Sequence, residues 1–89
     1  MDQLTVQLRE KTLEEKIEIL RIIEWGFSNM ENEVAIVTIL EISEEQTIDC
    51  VQSLYLDDET DELVLETEDE EEYRFNPRTL VYIDIDATF

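Results

Sequence analysis

The side chains best equipped for chemistry in this sequence are carboxylates, and they are concentrated in one stretch. Residues 57–72 read DDETDELVLETEDEEE, in which eleven of the sixteen side chains are acidic and none is basic. Carboxylates in such numbers can work as general acids and bases, bind cations, or attract a basic partner through their charge. These three uses make different demands on the surrounding sequence.

Catalysis is the use that the sequence supports least. An acid–base pair needs two carboxyl groups in different environments, one of them in an apolar cleft that raises its pKa. The acids in a run such as Glu68 to Glu72 are expected to be solvated instead, and the chain has no histidine. Nothing marks a nucleophile, an oxyanion hole or a phosphate-binding loop, so we predict that the protein is not an enzyme.

A dedicated metal or cofactor site is not predicted either. Residues 57–62 offer many oxygen ligands, but a calcium loop of the EF-hand type needs a central glycine and a following helix, and the sequence provides neither. The single Cys50 cannot form an intramolecular disulfide, and we expect it to be a small buried side chain within an apolar strand. Trp25 and Tyr55 are expected in the core or at its rim, and we expect no cofactor.

The remaining use of the acids is their collective charge. The formal net charge is −19, and residues 22–89 carry 20 of the 25 acids but only two bases, Arg74 and Arg78. A magnitude of about 2–8 is ample for the solubility of a small domain. Because binding to phosphates depends on Lys and Arg, direct nucleic-acid binding is disfavoured and a strongly basic partner is favoured.

The elements that position these acids follow from the hydrophobic periodicity. Thr12 and Glu15 form a capping-box pattern ahead of an apolar stripe, which predicts a helix over about residues 12–30. Strands are predicted at about 34–42, 47–56, 63–68, 73–75 and 80–85, with Leu63 and Leu65 facing the core. The alternation slips around Gln52, which indicates a bulge or a strong bend. Residues 3–9 fit a strand or an ordered coil equally well.

A single domain over residues 1–89 is therefore predicted, of the α+β class. It has one N-terminal helix packed on a strongly bent five-stranded antiparallel sheet or small SH3/Sm-like barrel. With the stretch YRFNPRTLVYIDI at residues 73–85, the order of elements over residues 12–86 resembles the YolD-like and Sm-like small β-barrels. In those barrels a 3₁₀-type turn precedes the final apolar strand. YolD-like proteins tend to accompany translesion polymerases, so this resemblance implies an adaptor rather than an enzyme.

In composition and size the chain is also similar to phage-encoded DNA mimics, including uracil-DNA glycosylase inhibitors, anti-restriction proteins and anti-CRISPR proteins. Alternate side chains on a strand lie about 6.6–6.8 Å apart, which is of the same order as the spacing of phosphates along a nucleic acid. The predicted function is non-enzymatic inhibition of a basic DNA- or RNA-binding protein, such as a phage-defence nuclease, by occupation of its groove. The alternative is an adaptor that binds a protein partner through its helix face or barrel edge.

The residues predicted to bind the partner are the eleven acids of the stretch: Asp57, Asp58, Glu59, Asp61, Glu62, Glu66, Glu68, Asp69, Glu70, Glu71 and Glu72. Their crowding predicts raised carboxyl pKa values. The apolar runs are too short for a membrane span, so we expect no membrane partner and a cytoplasmic protein. Homodimerisation is left open.

Overall fold

The computed structural model describes residues 2–29 and 34–88 of the chain. Six strands, one α-helix and one 3₁₀ turn follow one another along the sequence. In chain order they are β1 (Asp2–Gln7), α1 (Leu13–Ser28), β2 (Val34–Glu41), β3 (Glu45–Leu56), β4 (Leu63–Thr67), β5 (Glu72–Phe75), the 3₁₀ turn (Pro77–Thr79) and β6 (Leu80–Thr88).

The strands form one antiparallel sheet in the order β1-β6-β2-β3-β4-β5, so the α+β class is confirmed. The prediction of five strands is wrong, because residues 2–7 also form a strand and α1 is not the first element. β6 runs further than predicted, to Thr88, and its outer side would present an open ladder without β1. β1 and β5 lie at the two edges, and no pairing between them is seen in residues 2–29 and 34–88.

The helix begins where the capping box predicts. The Glu15 carboxylate accepts a hydrogen bond from the Thr12 N–H at 2.9 Å, and the Thr12 hydroxyl accepts one from the Glu15 N–H at 3.2 Å. Leu20, Ile23 and Phe27 are buried against the sheet, as the apolar stripe predicts. The helix ends at Ser28. Residue 30, the last of the predicted helix, lies outside the described residues. No helix in the described part of the chain is long and apolar enough to cross a membrane.

β3 bends because the alternation of inward and outward side chains slips at two places along it. Ile48 and Val51 are both buried, with two outward residues between them, and Val51 and Leu54 repeat the pattern. The pairing register shifts at both places, as predicted for the second of them. The first slip turns Cys50 outward with a φ of 58°, so the prediction of a buried cysteine is wrong. The first half of β3 pairs with β2 and the second half with β4, which curves the sheet around its core.

β4 lies in the interior on both of its faces. Leu63 and Leu65 are fully buried in the core, as predicted from their alternation. Val64 points to the opposite face and is also fully buried, with Tyr55 and Arg74 as its neighbours across the two adjacent strands. Because β4 is packed on both faces, the two turns that flank it are attached to a fixed strand.

The packed face of α1 can be tested with a pair of matched substitutions. Leu20 is fully buried and Ile22, two residues away, is 69% exposed. Leu20→Ala is expected to lower the free energy of unfolding by about 2–5 kcal/mol, because it leaves a cavity in the core. Ile22→Ala is expected to change it by less than about 0.5 kcal/mol. Urea denaturation followed by circular dichroism measures both, and equal losses would contradict this orientation of the helix.

Candidate acidic partner-binding surface

The eleven predicted acids surround one edge of the sheet. Consecutive antiparallel hairpins turn at opposite ends of the strand that they share, so residues 57–62 and residues 68–71 lie at the two ends of β4. We call them the first and the second acidic turn. Glu66 lies on β4 between them, and Glu72 opens the edge strand β5. The structure thus separates the acids into two turns joined by a short stretch of sheet.

The first acidic turn is held by its own backbone. The Asp57 N–H donates to the Glu62 carbonyl at 2.9 Å, and the Asp61 N–H donates to the Asp57 carbonyl at 2.8 Å. The Asp57 carboxylate accepts a hydrogen bond from the Glu59 N–H at 2.8 Å. This bond and the neighbouring Arg74 guanidinium hold the pKa of Asp57 below its ordinary value. The expectation that crowding raises the carboxyl pKa values is therefore wrong for Asp57.

The second acidic turn is organised by Thr67, a buried polar side chain. The Thr67 N–H donates to the Glu71 carbonyl at 3.0 Å, and its hydroxyl accepts from the Glu71 N–H at 3.2 Å. The Glu70 N–H donates to the Thr67 carbonyl at 3.0 Å, and Glu70 itself has a φ of 65°. The Glu68 N–H donates to the Cys50 carbonyl at 3.0 Å, so this turn is tied to the bulge in β3.

Arg74 joins the first acidic turn to β5. Its guanidinium lies 3.1 Å from the Asp57 carboxylate, 3.2 Å from that of Glu62 and 2.8 Å from that of Glu72. These contacts raise the pKa of Arg74 above its ordinary value, and the hydrogen bond to Glu72 contributes most. Three of the eleven predicted acids are therefore engaged within the protein, where they hold the surface together.

Arg74 is a residue of this site that lies outside the predicted set. The signal was present, since Arg74 precedes the buried Phe75 on a strand and must face outward. Its partners could not be inferred, because Asp57 and Glu62 reach it only through the pairing of β5 with β4.

Two further acids of the set have partners. The Asp58 carboxylate lies 3.7 Å from the Arg21 guanidinium of α1, and both side chains are at least half exposed. The Glu71 carboxylate accepts a hydrogen bond from the Tyr73 hydroxyl at 2.6 Å, which raises the pKa of Tyr73. The five other acids of the two turns are exposed: Glu59, Asp61, Glu68, Asp69 and Glu70.

Asp49 is an acid of this surface that lies outside the predicted set. It follows the buried Ile48 on β3 and faces outward, and it lines a shallow groove together with Asp69 and Glu71 of the second acidic turn. The prediction missed it because Asp49 lies outside the acidic stretch in sequence, and only the pairing of β3 with β4 brings it beside the second acidic turn. In the described ranges no group of three or more carboxylate, thiol or imidazole side chains is arranged to hold a metal ion.

The structural role of Arg74 can be separated from its charge. Arg74→Gln is expected to lower the melting temperature more than Arg78→Gln, although both remove one positive charge, because three carboxylates then lose their shared partner. The difference should shrink in about 1 M salt, where charges are screened beyond about 3 Å. Differential scanning calorimetry measures both variants, and equal losses would show that the ion pairs add nothing beyond net charge.

The lowered pKa of Asp57 predicts a dependence of stability on pH. A carboxyl group with a lower pKa in the folded state stabilises the fold above its ordinary pKa of 3.8, and this contribution is lost as pH falls through the folded value. Asp57→Asn should therefore lower the melting temperature at pH 5–7, and the difference from the parent should vanish as pH falls through the lowered pKa of Asp57 in the folded state. A difference that persists at the lowest pH would contradict this origin.

Comparison of the chain with protein-family models, curated proteins and solved structures finds no match in any of the three. The resemblance to YolD-like and Sm-like barrels and the likeness to DNA mimics accordingly stay predictions. What is known of this surface comes from its own geometry and charge.

Proposed function

We propose that the protein is a non-enzymatic inhibitor that occupies the basic groove of a DNA- or RNA-binding protein, such as a phage-defence nuclease. The observation that carries this proposal is the fixed geometry of the two acidic turns. Each is closed by backbone hydrogen bonds and attached to a strand that is buried on both faces. Charges held in this way need no further ordering when they meet a partner, unlike those of a disordered acidic tail.

Arg74 supports the same proposal through its position. The acidic side chains that give the protein its net charge of −19 repel one another, and this repulsion opposes the compact state. One guanidinium among Asp57, Glu62 and Glu72 offsets that repulsion where the chain is most crowded. Exposed acids of the turns, such as Glu59 and Asp69, lie at the surface, where they would meet the Lys and Arg side chains of a phosphate-binding groove.

The alternative is an adaptor of the YolD-like or Sm-like barrel type. Two features favour it: Ile22 and Trp25 are exposed on the outer face of α1, and β1 and β5 are edge strands. An adaptor of this kind would bind through apolar contacts or strand addition, and its affinity would respond little to salt. Under this alternative we also propose that the sheet closes into a small barrel.

The two proposals differ in their response to ionic strength. Partners are captured from a lysate with the immobilised protein, identified, purified and measured by surface plasmon resonance. For a mimic, raising the salt from about 50 to about 200 mM should slow association by about tenfold or more, and the protein should displace nucleic acid from its partner. An affinity that is unchanged over this range would refute mimicry and favour the adaptor.

A matched pair of triple variants tests which acids are used. One variant carries Glu68→Gln, Asp69→Asn and Glu70→Gln in the second acidic turn. The control carries Glu10→Gln, Glu14→Gln and Glu18→Gln, which are exposed positions in or before α1. Both remove three negative charges. The turn variant should lose inhibition at least tenfold more than the control, because close charges dominate in salt. Equal losses would mean that only the total charge matters.

A further inference from the structure

The two edges of the sheet differ in how well they are protected against the addition of a further strand. Proteins protect an edge with a short strand, charged side chains, proline or a bulge. β5 is protected, because it is four residues long and carries Glu72 and Arg74. β1 is six residues long and pairs with β6 in one unbroken register. No charged residue and no proline lies between Asp2 and Arg9, so the edge that β1 forms is unprotected.

The backbone groups that β1 leaves open follow from its pairing with β6. The Leu8 N–H donates to the Val81 carbonyl at 2.8 Å, and these two residues continue the register of β1 on β6. Because backbone groups alternate in direction along a strand, the even-numbered residues of β1 also point to β6. The N–H and carbonyl groups of Gln3, Thr5 and Gln7 therefore point to the open edge, and no strand in the described part of the chain pairs with them.

We propose that β1 pairs antiparallel with β1 of a second copy of the chain, which joins two six-stranded sheets into one. A dimer of this kind goes beyond the proposed function and does not depend on it. With a two-fold axis through Thr5, Thr5 faces Thr5 of the second copy, and Gln3 faces its Gln7. Each of these three residues then exchanges hydrogen bonds with its opposite residue. An axis one residue away in either direction would leave one of them unpaired.

The side chains of β1 fit this register. Leu4 and Val6 share one face of the strand, where Val6 packs against the core and Leu4 is 48% exposed. In the proposed pairing Leu4 lies opposite Val6 of the second copy, so an apolar neighbour would cover the exposed Leu4 side chain. On the other face the two Thr5 residues are direct neighbours, and Thr–Thr pairs are favourable across antiparallel strands. The edge is thus complementary to itself.

The distribution of charge favours a second copy at this edge over a strand of a basic protein. Residues 1–21 carry five acids and four bases, a net charge of −1, and residues 22–89 carry the other −18. Asp84 of β6 accepts a hydrogen bond from the Thr5 hydroxyl at 2.6 Å. In the dimer the two Asp84 residues would lie three strand spacings apart, about 14 Å, which exceeds the screening length of about 8 Å at physiological salt. The neutral edge itself selects no cation.

The test combines sedimentation equilibrium with a matched pair of substitutions at Thr5. Thr5→Pro removes the N–H that points to the open edge and leaves the hydrogen bonds of β1 to β6 in place. Thr5→Val keeps this N–H, and both variants lose the hydroxyl that bonds to Asp84. The parent and Thr5→Val should form dimers. Thr5→Pro should raise the dissociation constant of the dimer at least tenfold, because the two central hydrogen bonds are lost.

Two further variants guard against misfolding and against a different dimer interface. Gln7→Pro removes another outward N–H at the end of β1, and it should also weaken the dimer if circular dichroism shows that Thr5→Pro does not fold. Trp25→Ala removes an exposed side chain of α1 and should leave the dissociation constant unchanged. A parent protein that is monomeric at every concentration, or a dimer that is lost in Trp25→Ala and kept in the proline variants, would overturn pairing through β1.

Salt should act on dimerisation and on the proposed function in opposite directions. Raising the salt from about 50 to about 500 mM should strengthen the dimer, because screening reduces the repulsion between two acidic copies. The same change should weaken the binding of a basic partner to the acidic turns. A monomer that displaces nucleic acid from its partner would overturn the dimer alone. A dimer whose partner binding does not respond to salt would overturn mimicry alone.

Discussion

The structure depends on a short apolar strand set within a run of acids. Leu63, Val64 and Leu65 are all fully buried, although eleven acidic side chains lie within the sixteen residues around them. Burying one such side chain contributes roughly 1.5–3 kcal/mol, which is comparable with the cost of fixing the backbone of one or two residues in a turn. The acids are therefore ordered because the centre of their own segment is anchored in the core.

The outer face of this strand adds a second constraint. Val64 is covered there by neighbouring side chains that include Arg74, and the Arg74 guanidinium continues to the carboxylates of Asp57, Glu62 and Glu72. An arginine stem that covers apolar surface while its head pairs with acids performs two tasks at once. The same residue thus links the packing of β4 to the electrostatics of the surface above it.

Much of the fold could be predicted from local patterns. The capping box of Thr12 and Glu15, the helical stripe and the inward direction of Leu63 and Leu65 follow from spacing alone, and the structure confirms them. Local alternation does not decide the structure of β1, because only its pairing with β6, about 80 residues away, makes it a strand. The exposure of Cys50 also depends on a register shift that alternation locates only approximately. For the acidic surface, the sequence supplied the acids but not the long-range contacts of Arg74. The expectation that Trp25 belongs to the core or its rim is wrong, because its side chain on α1 is 72% exposed.

The bulge in β3 has a consequence for how the surface could diversify. One additional residue at Cys50 interrupts the alternation of inward and outward side chains along β3. The Cys50 carbonyl accepts a hydrogen bond from the Glu68 N–H of the second acidic turn. The direction in which that turn points is thus coupled to the residue count of a different strand. Insertion or deletion of one residue at this bulge would change the direction of the second acidic turn relative to the sheet, while every acid of the turn stays in place. Strand length, and not only charge, is therefore a variable by which such a surface can be fitted to a new partner.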